Sequence, residues 1–425
     1  MRKKTTPFRA GMNFAHTFKY LNLQQINMKL VRQFFLKPTQ LLEEMSILSN
    51  NLYNRTLYVV RHRFIDFGKL YSTKDLYARM KSEKDYLKLK KFGSQVPQQV
   101  LKQVLKAFKG FFNALKSWKK NPEKFKSKPN LPNYHKRGSK NIVVFTSQQS
   151  RLREGYIILP RKVMKMGFPK IKFLPPQKCR KFQSVRIKPF HDRFVFEIIY
   201  RHDCEDLLLD KSRKIGIDIG LNNFVAWTNN FDNVSKIVKG GILKSVNHYF
   251  NKKLAKYRSI AKKCNDTYET KRIKQLFRKR HCKMKDFFHK TSRKIVDYCI
   301  ENDVGEIIVG YNSGWKQKVN LGKKNNQNFV SVPFDMFVKQ LEYKGEMIGI
   351  KVRRITEEYT SQTCSSCGVV NKKNRKHRGL YVCKNCGSTM NVDVNASKNI
   401  LRKAFPKSPR RWDKGALNAP VVLKV

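Results

Sequence analysis

Two Cys-x-x-Cys pairs constrain this chain more than any other feature. Cys364 and Cys367 are followed, after 15 intervening residues, by Cys383 and Cys386, and a glycine, Gly368 or Gly387, closes each pair. Two such knuckles at this separation suit four thiolates around one tetrahedral zinc ion (Zn²⁺). A four-thiolate site is closed and structural, with no coordination position left for hydrolysis. The other five of the nine cysteines are scattered, which fits a reducing compartment better than a disulfide framework.

Charge narrows the partner. The 425 residues carry 91 Lys and Arg against 30 Asp and Glu, a net charge of +61, while 40% of the residues are hydrophobic. That apolar content and length suffice for about two to four compact units with a substantial core. The charge excludes an ordinary neutral enzyme and demands a polyanion, so nucleic acid is the expected partner. A lipid surface is the rival. No apolar run approaches the roughly 18 residues of a spanning helix, and the basic residues recur along the whole chain, so no membrane is expected. The first residues are basic but lack a continuous apolar stretch, which argues against a secretory leader. No acid precedes Glu43, as in an organellar transit peptide, but acids are scarce throughout. An intracellular location is expected.

Periodicity divides the chain. Residues 40 to 125 read as helical, with Val100, Val104, Phe108, Phe111, Leu115 and Trp118 at helical spacing and Lys102, Lys106, Lys109 and Lys116 between them. Core packing explains the aromatic stripe better than base stacking, for which Phe108, Phe111, Trp118 and Tyr134 are the candidates. A Lys, Asn and Pro-rich loop follows, then β-like runs at 141–145, 156–159, 185–190 and 194–200. These predict a small barrel or sandwich, which the first forty residues complete, with the helical region inserted between its strands. From Lys214 the pattern is strand, turn, strand. Residues 251 to 294, with 17 Lys and Arg against 3 acids, predict a basic helical pair. Short strands at 304–310 and 347–356 precede the cysteines, and a short helix over 396–404 follows them.

Three places carry acids of interest. Ile215, Ile217 and Ile219 share one strand face, so Asp218 points to the other, with Gly216 and Gly220 leaving room for a ligand or a sharp turn. Asp393 lies seven residues past Cys386, just ahead of the last short helix, where the positive helix end favours its ionised form and where a helix cap is the simpler role. Glu357 and Glu358 lie between the strand at 347–356 and the first knuckle.

Taken in order, GIDIGLNNFVAW, the lysine-rich segment, YTSQTCSSCG, CKNCG and DVNASKNI resemble the transposon-associated TnpB nucleases and their eukaryotic and viral relatives, the Fanzors. VPQQVLKQVLKAFKGFFNALK followed by KFKSKPNLP resembles the same family near the N-terminus. The resemblance implies a multidomain α/β protein: a RuvC-like nuclease domain of RNase H fold with a four-cysteine zinc ribbon, plus an N-terminal β-barrel carrying a helical insertion. It implies a first part of a wedge-type barrel over 1–39, a helical recognition domain over 40–130 and the rest of the barrel over 131–211. The nuclease domain with its basic insertion then spans 212–359, the ribbon, as a target nucleic-acid binding element, 360–390, and a final nuclease segment and tail 391–425.

The activity implied is RNA-guided cleavage of double-stranded DNA, with a guide RNA encoded near the protein's own gene. Catalytic carboxylates would hold two divalent ions, and carboxylate ligands suit Mg²⁺. Asp218 matches the family's first catalytic Asp and Asp393 its last. Where many TnpB proteins place a middle Glu this chain has Gly310, and glycine offers no ligand. Fanzors and some TnpB relatives use a displaced Glu ahead of the YTS motif, which here is Glu357 or Glu358. Strand parity relative to Ile348, Ile350 and Val352 favours Glu357, although Ile355 shares its parity. A guided DNA-binding repressor that has lost cleavage is the competing reading, motivated by Gly310. Lys252, Lys256, Arg272 and Arg280 are candidates for phosphate contact, and Arg375, Lys376, His377 and Arg378 for the DNA strand entering the site. A nuclear location would follow from the Fanzor branch.

Overall fold

The computed structural model describes residues 27–232, 234–312, 327, 331–377, 379–406 and 420–425. The first unit holds β1 (Asn27–Leu36), α1 (Gln40–Phe67), α2 (Thr73–Met80), α3 (Lys84–Lys90), α4 (Val96–Lys120), β2 (Val143–Thr146), β3 (Arg151–Arg153), β4 (Tyr156–Ile158), α5 (Arg161–Lys165), β5 (Ile171–Lys172), β6 (Cys179–Phe190) and β7 (Arg193–Asp203). Thr39 caps α1 by accepting the Leu42 N–H at 3.4 Å, and Gly68, at φ +64°, ends it by donating to the Phe64 carbonyl. On α4 the apolar stripe of Val96, Val100, Leu101, Val104 and Phe108 is buried in one core with Leu52 and Leu57 of α1, while Lys102, Lys106, Lys109 and Lys116 face solvent. Phe108 is therefore core, whereas Tyr134 is exposed.

The long β6–β7 hairpin pairs β1 on one side and β2 on the other, in the order β1-β7-β6-β2, all antiparallel. The helices are thus inserted between two edge strands of one sheet. Among the described residues the expected barrel does not close. Among the described residues β1 and β2 remain the unpaired edges, α1 and α4 lie against β2, and β3, β4 and β5 form a separate three-stranded sheet. Residues 1–26 of the expected barrel lie outside the described residues.

The second unit holds β8 (Lys214–Ile219), β9 (Asn223–Asn229), β10 (Ser235–Lys239), α6 (Gly241–Asn265), α7 (Lys271–Glu301), β11 (Glu306–Gly310), α8 (Phe334–Glu346), β12 (Lys351–Ile355), β13 (Arg375–His377), β14 (Leu380–Val382), β15 (Thr389–Met390), α9 (Val392–Ala404) and β16 (Val421–Leu423). Its sheet runs β12-β11-β8-β9-β10-β16, with β8, β9 and β10 antiparallel, β11 and β12 parallel to β8, and β16 parallel to β10.

Side-chain alternation gives this sheet two faces. Ile215, Ile217, Ile219, Ile307 and Val309 pack with Phe287 and Phe288 of α7 and Phe334 and Phe337 of α8. Ala226 and Ile308, on the opposite face, meet Val394, Ile400 and Leu401 of α9. Gly216 makes that second contact close, because a Cβ there would stand 2.5 Å from the Ser397 carbonyl oxygen and 2.9 Å from Leu401 Cβ. Its role is helix packing, not room for a ligand. Gly220 serves a tight turn, since its Cβ would lie 2.6 Å from the Asn223 carbonyl oxygen.

The two units are joined by charge. Arg278 on α7 donates twice to the Asp192 carboxylate in the β6–β7 turn, at 2.6 and 3.2 Å, and Lys285 donates to Gln33 on β1. Among the described residues no helix is long and apolar enough to cross a membrane.

Candidate functional site

Asp218 sits on the α9 face of β8, opposite the isoleucines, and pairs in register with Ala226 of β9. The parallel register Val309↔Ile217 brings Gly310 level with it on the neighbouring strand. Asp393 lies inside the first turn of α9, not ahead of the helix. The cap is Asn391, whose side-chain oxygen accepts the N–H groups of Asp393 and Val394 at 2.9 and 3.4 Å. The carboxylate of Asp393 is thereby free of capping duty, and it accepts a 2.6 Å hydrogen bond from Asn223 Nδ2 on β9.

The space beside Gly310 is taken by Glu357. A Cβ on Gly310 would stand 2.8 Å from Glu357 Cγ and 3.0 Å from its Oε1. The strand has already ended at Ile355, so strand parity is not what aims this side chain. Its backbone N–H donates to Asn312 Oδ1 at 3.0 Å, just past the end of β11, and its carbonyl accepts from Thr360. Glu358 is exposed. Of the two candidate glutamates, only Glu357 is brought to Asp218 and Asp393.

Burial, then the nearby charges of Asp393 and Glu357, raise the Asp218 carboxyl well above its ordinary range, opposed by Arg375. Burial lifts Glu357 to about 7. Asp393 is also raised by burial, against the Asn223 hydrogen bond and the positive charges of Arg375 and Lys239. Three acids that resist ionising together form a site short of positive charge. Glu357 Oε1 is buried and accepts no hydrogen bond. Such an oxygen suits a hard divalent cation, and the donor set fits Mg²⁺.

The cysteines meet more tightly. Among the described residues they are the one set whose ligand atoms all lie within 4.8 Å of one another. Cys364 and Cys386 sulfurs are 3.7 Å apart and Cys367 and Cys383 sulfurs 3.6 Å. Zn–S bonds of about 2.3 Å in a tetrahedron require edges close to those values. Gly368 and Gly387, at φ +83° and +70°, turn each knuckle so that their N–H groups donate to the Cys364 and Cys383 carbonyls at 2.9 Å.

Of the basic candidates, Lys252, Lys256 and Arg272 are exposed, whereas Arg280 is a structural tie, donating to Asn247 and to the Ser331 carbonyl. Arg375, Lys376 and His377 form exposed β13 rather than a loop, and Arg375 is near enough to Asp218 and Asp393 for its charge to be felt. Arg378 lies outside the described residues. Reading the sequence missed Asn223 and Asn312, for which no pattern gave notice. It also missed Asn391, for which an Asn two residues ahead of an Asp at a helix start was a usable cap signal.

Residues 197–316 match a family described as a probable transposase, and residues 334–400 match a Cas12f1-like TNB domain. The chain is 37% identical over 112 residues to a CRISPR-associated endodeoxyribonuclease Cas12f1 of Sulfoacidibacillus thermotolerans, covering 26% of this chain and 25% of that protein. It thus spans only about a quarter of the length of that relative. It is 29% identical over 197 residues to the TnpB-like protein L79 of Acanthamoeba polyphaga mimivirus, covering 44% of this chain and 36% of the relative. A putative RNA-guided DNA endonuclease, InsQ, of Escherichia coli is 21% identical across 80% of this chain and 81% of its own. The fold is similar to the protein in a Cas12f1–sgRNA–target DNA complex, with a TM-score of 0.52 at 17% identity over 84% of this chain and 81% of that one. The first matched family segment holds Asp218 and the second holds Glu357, the four cysteines and Asp393. Over these segments the chain is similar to TnpB-like and Cas12f-type proteins.

Proposed function

We propose that this chain is an RNA-guided DNA endonuclease that cuts phosphodiesters at a RuvC-like site of RNase H fold. The observation that carries the reading is Glu357 filling the space beside Gly310, next to Asp218 and Asp393. The strand order, an antiparallel β8–β10 meander flanked by parallel β11 and β12, supports the RNase H-type assignment. The named activities of the relatives, an RNA-guided DNA endonuclease and a CRISPR-associated endodeoxyribonuclease, support the guided chemistry.

Asp218, Glu357 and Asp393 would hold the divalent ions, and zinc would occupy the four cysteines. Two Mg²⁺ ions would supply Lewis-acid activation of water and stabilisation of the leaving oxygen. The protein's own groups prepare that place. The rigid strand β8 fixes Asp218, the Asn223 amide orients Asp393, and Asn312 anchors the backbone of Glu357. Partial burial keeps Glu357 partly protonated near neutrality, so cation binding would release a proton there. Arg375 brings positive charge beside two of the acids, where an approaching phosphodiester needs it.

Guide and target would be held chiefly through backbone charge, with base pairing reading the sequence. In domain terms, residues 40–130 would face the guide–target duplex, 212–359 and 391–425 form the nuclease, and 360–390 contact target DNA. The location would be a nucleus in a eukaryotic host and the cytoplasm otherwise.

The test is to purify the chain, sequence the RNA that copurifies, and incubate that complex with Mg²⁺ and a matching DNA library. Discrete RNA and guided cuts are expected, with cutting lost in Asp218→Asn, Glu357→Gln and Asp393→Asn but kept in Glu358→Gln. No discrete RNA overturns the guided reading. Full cutting by Glu357→Gln overturns the site, and target binding without any cutting by the wild type supports the cleavage-deficient alternative.

A further inference from the structure

We propose that Asn395 and Asn399 are positioning residues through which the four-cysteine site holds Glu357 and Asp393 in place, so that zinc occupancy sets the acidic cluster's affinity for divalent cations. The inference rests on the reading of Asp218, Glu357 and Asp393 as cation ligands.

One face of α9 grips the segment that joins Glu357 to the first knuckle. Asn395, Asn399 and Arg402 stand at i, i+4 and i+7, on one side of the helix. Asn395 Oδ1 accepts the Ser365 N–H from inside the Cys364–Cys367 knuckle at 2.8 Å, and its Nδ2 donates to the Thr363 carbonyl at 2.8 Å. Asn399 Nδ2 donates to the carbonyls of Thr360 and Thr363, at 2.8 and 2.6 Å. Arg402 donates to the Ser365 carbonyl at 2.5 Å. Thr360 in turn binds the Glu357 carbonyl through both its N–H, at 3.1 Å, and its hydroxyl, at 2.8 Å.

The network has two ends. At one, Ser365 sits within a zinc knuckle; at the other, Asp393 lies two residues before Asn395 on the same helix and Glu357 three residues before Thr360. Asn395, Asn399, Ser365 and Thr360 are all buried, so little water is at hand to replace a lost partner. Asn399 Oδ1 itself has no hydrogen-bond partner, a cost that an apolar side chain would avoid if the position served packing alone. An empty knuckle would free Ser365, and the register of 357–365 on α9 would loosen with it.

The probe is Mn²⁺ binding to the full chain, followed by the electron paramagnetic resonance signal of free Mn²⁺, with zinc content measured in parallel by elemental mass spectrometry. Stripping zinc from the wild type is expected to weaken Mn²⁺ binding about tenfold. Asn399→Ala should do the same while still carrying one zinc per chain. Asn395→Asp keeps the acceptor for Ser365 but loses the donor to Thr363, and should give an intermediate loss with a cooperative melt. A purely structural role would lower the melting temperature and leave Mn²⁺ affinity unchanged. Mn²⁺ affinity within twofold of wild type in zinc-loaded Asn399→Ala and Asn395→Asp overturns the coupling alone. Zinc-loaded wild type that does not bind Mn²⁺ overturns the acidic-site reading, and the coupling with it.

Discussion

At Gly310 the absence of a side chain and the presence of another residue's side chain are one fact. Glu357 Cγ and Ile400 Cδ1 lie 2.8 and 2.5 Å from where a Cβ would stand, so a carboxylate cannot be supplied from both positions. Gly310→Glu is therefore expected to displace Glu357, lower the melting temperature and abolish cutting. The exchange Gly310→Glu with Glu357→Gly should recover part of both, as read by melting and guided cleavage. The Glu357 carboxyl also makes the fold pH-sensitive. Its ordinary value is 4.5 and its folded value about 7, so its neutral form is favoured in the fold. The associated stability is present in full below about 4.5 and is lost as pH rises through 7. Without divalent ions, the melting temperature of Glu357→Gln minus that of wild type should grow from pH 5 to pH 8. Saturating Mg²⁺ should shrink that difference, and a flat difference across the range would refute the shift.

The element that decides the site is α9, and the strand it lies on admits it through Gly216. A Cβ at Gly216 would meet the Ser397 carbonyl at 2.5 Å, and backbone has nowhere to go except outward. Gly216→Ala should cost about 1–3 kcal/mol in denaturant unfolding and move Asp393 away from Asp218. Cation affinity should fall with it, measurable by the same Mn²⁺ titration. Hydrophobic periodicity made β8, β9, β11, the basic pair α6 and α7 and the helical region α1–α4 legible in the sequence. The last helix was legible only in part, because its start depends on the Asn391 cap and lies four residues earlier than the apolar pattern indicates.

For the whole molecule, a charge of +61 opposes compaction unless an anion is bound. Among the described residues many basic groups, Lys102, Lys106, Lys252 and Lys256 among them, are exposed to whatever polyanion arrives, whereas Lys398 is buried and Arg280 is half-buried. RNA affinity should fall about 10³-fold or more between 50 and 200 mM salt if six or more phosphates are neutralised. Filter binding across that range measures the slope, and a shallow slope would argue against a backbone-dominated interface. The edges β1 and β2, unpaired among the described residues, belong to this scale too. Closure of a barrel depends on how far each strand tilts and on what covers its edge, and among the described residues it is α1 and α4 that lie against β2.

Spacing alone determined the four-cysteine cluster, because two short knuckles leave their sulfurs little freedom beyond a tetrahedron, and alternation alone put Asp218 opposite its isoleucines. The choice between Glu357 and Glu358 was different in kind. Parity along β12 pointed to Glu357, yet the strand ends before reaching it, and what aims the side chain is the Asn312 amide and the vacant side of Gly310. Those partners are 45 and 47 residues away in the chain, and only the parallel pairing of β11 with β12 brings them together. The Asn223 contact to Asp393 and the grip of α9 on residues 360–365 are likewise long-range. Local pattern determines which face a residue takes, whereas the packing of distant segments decides which acids share a site.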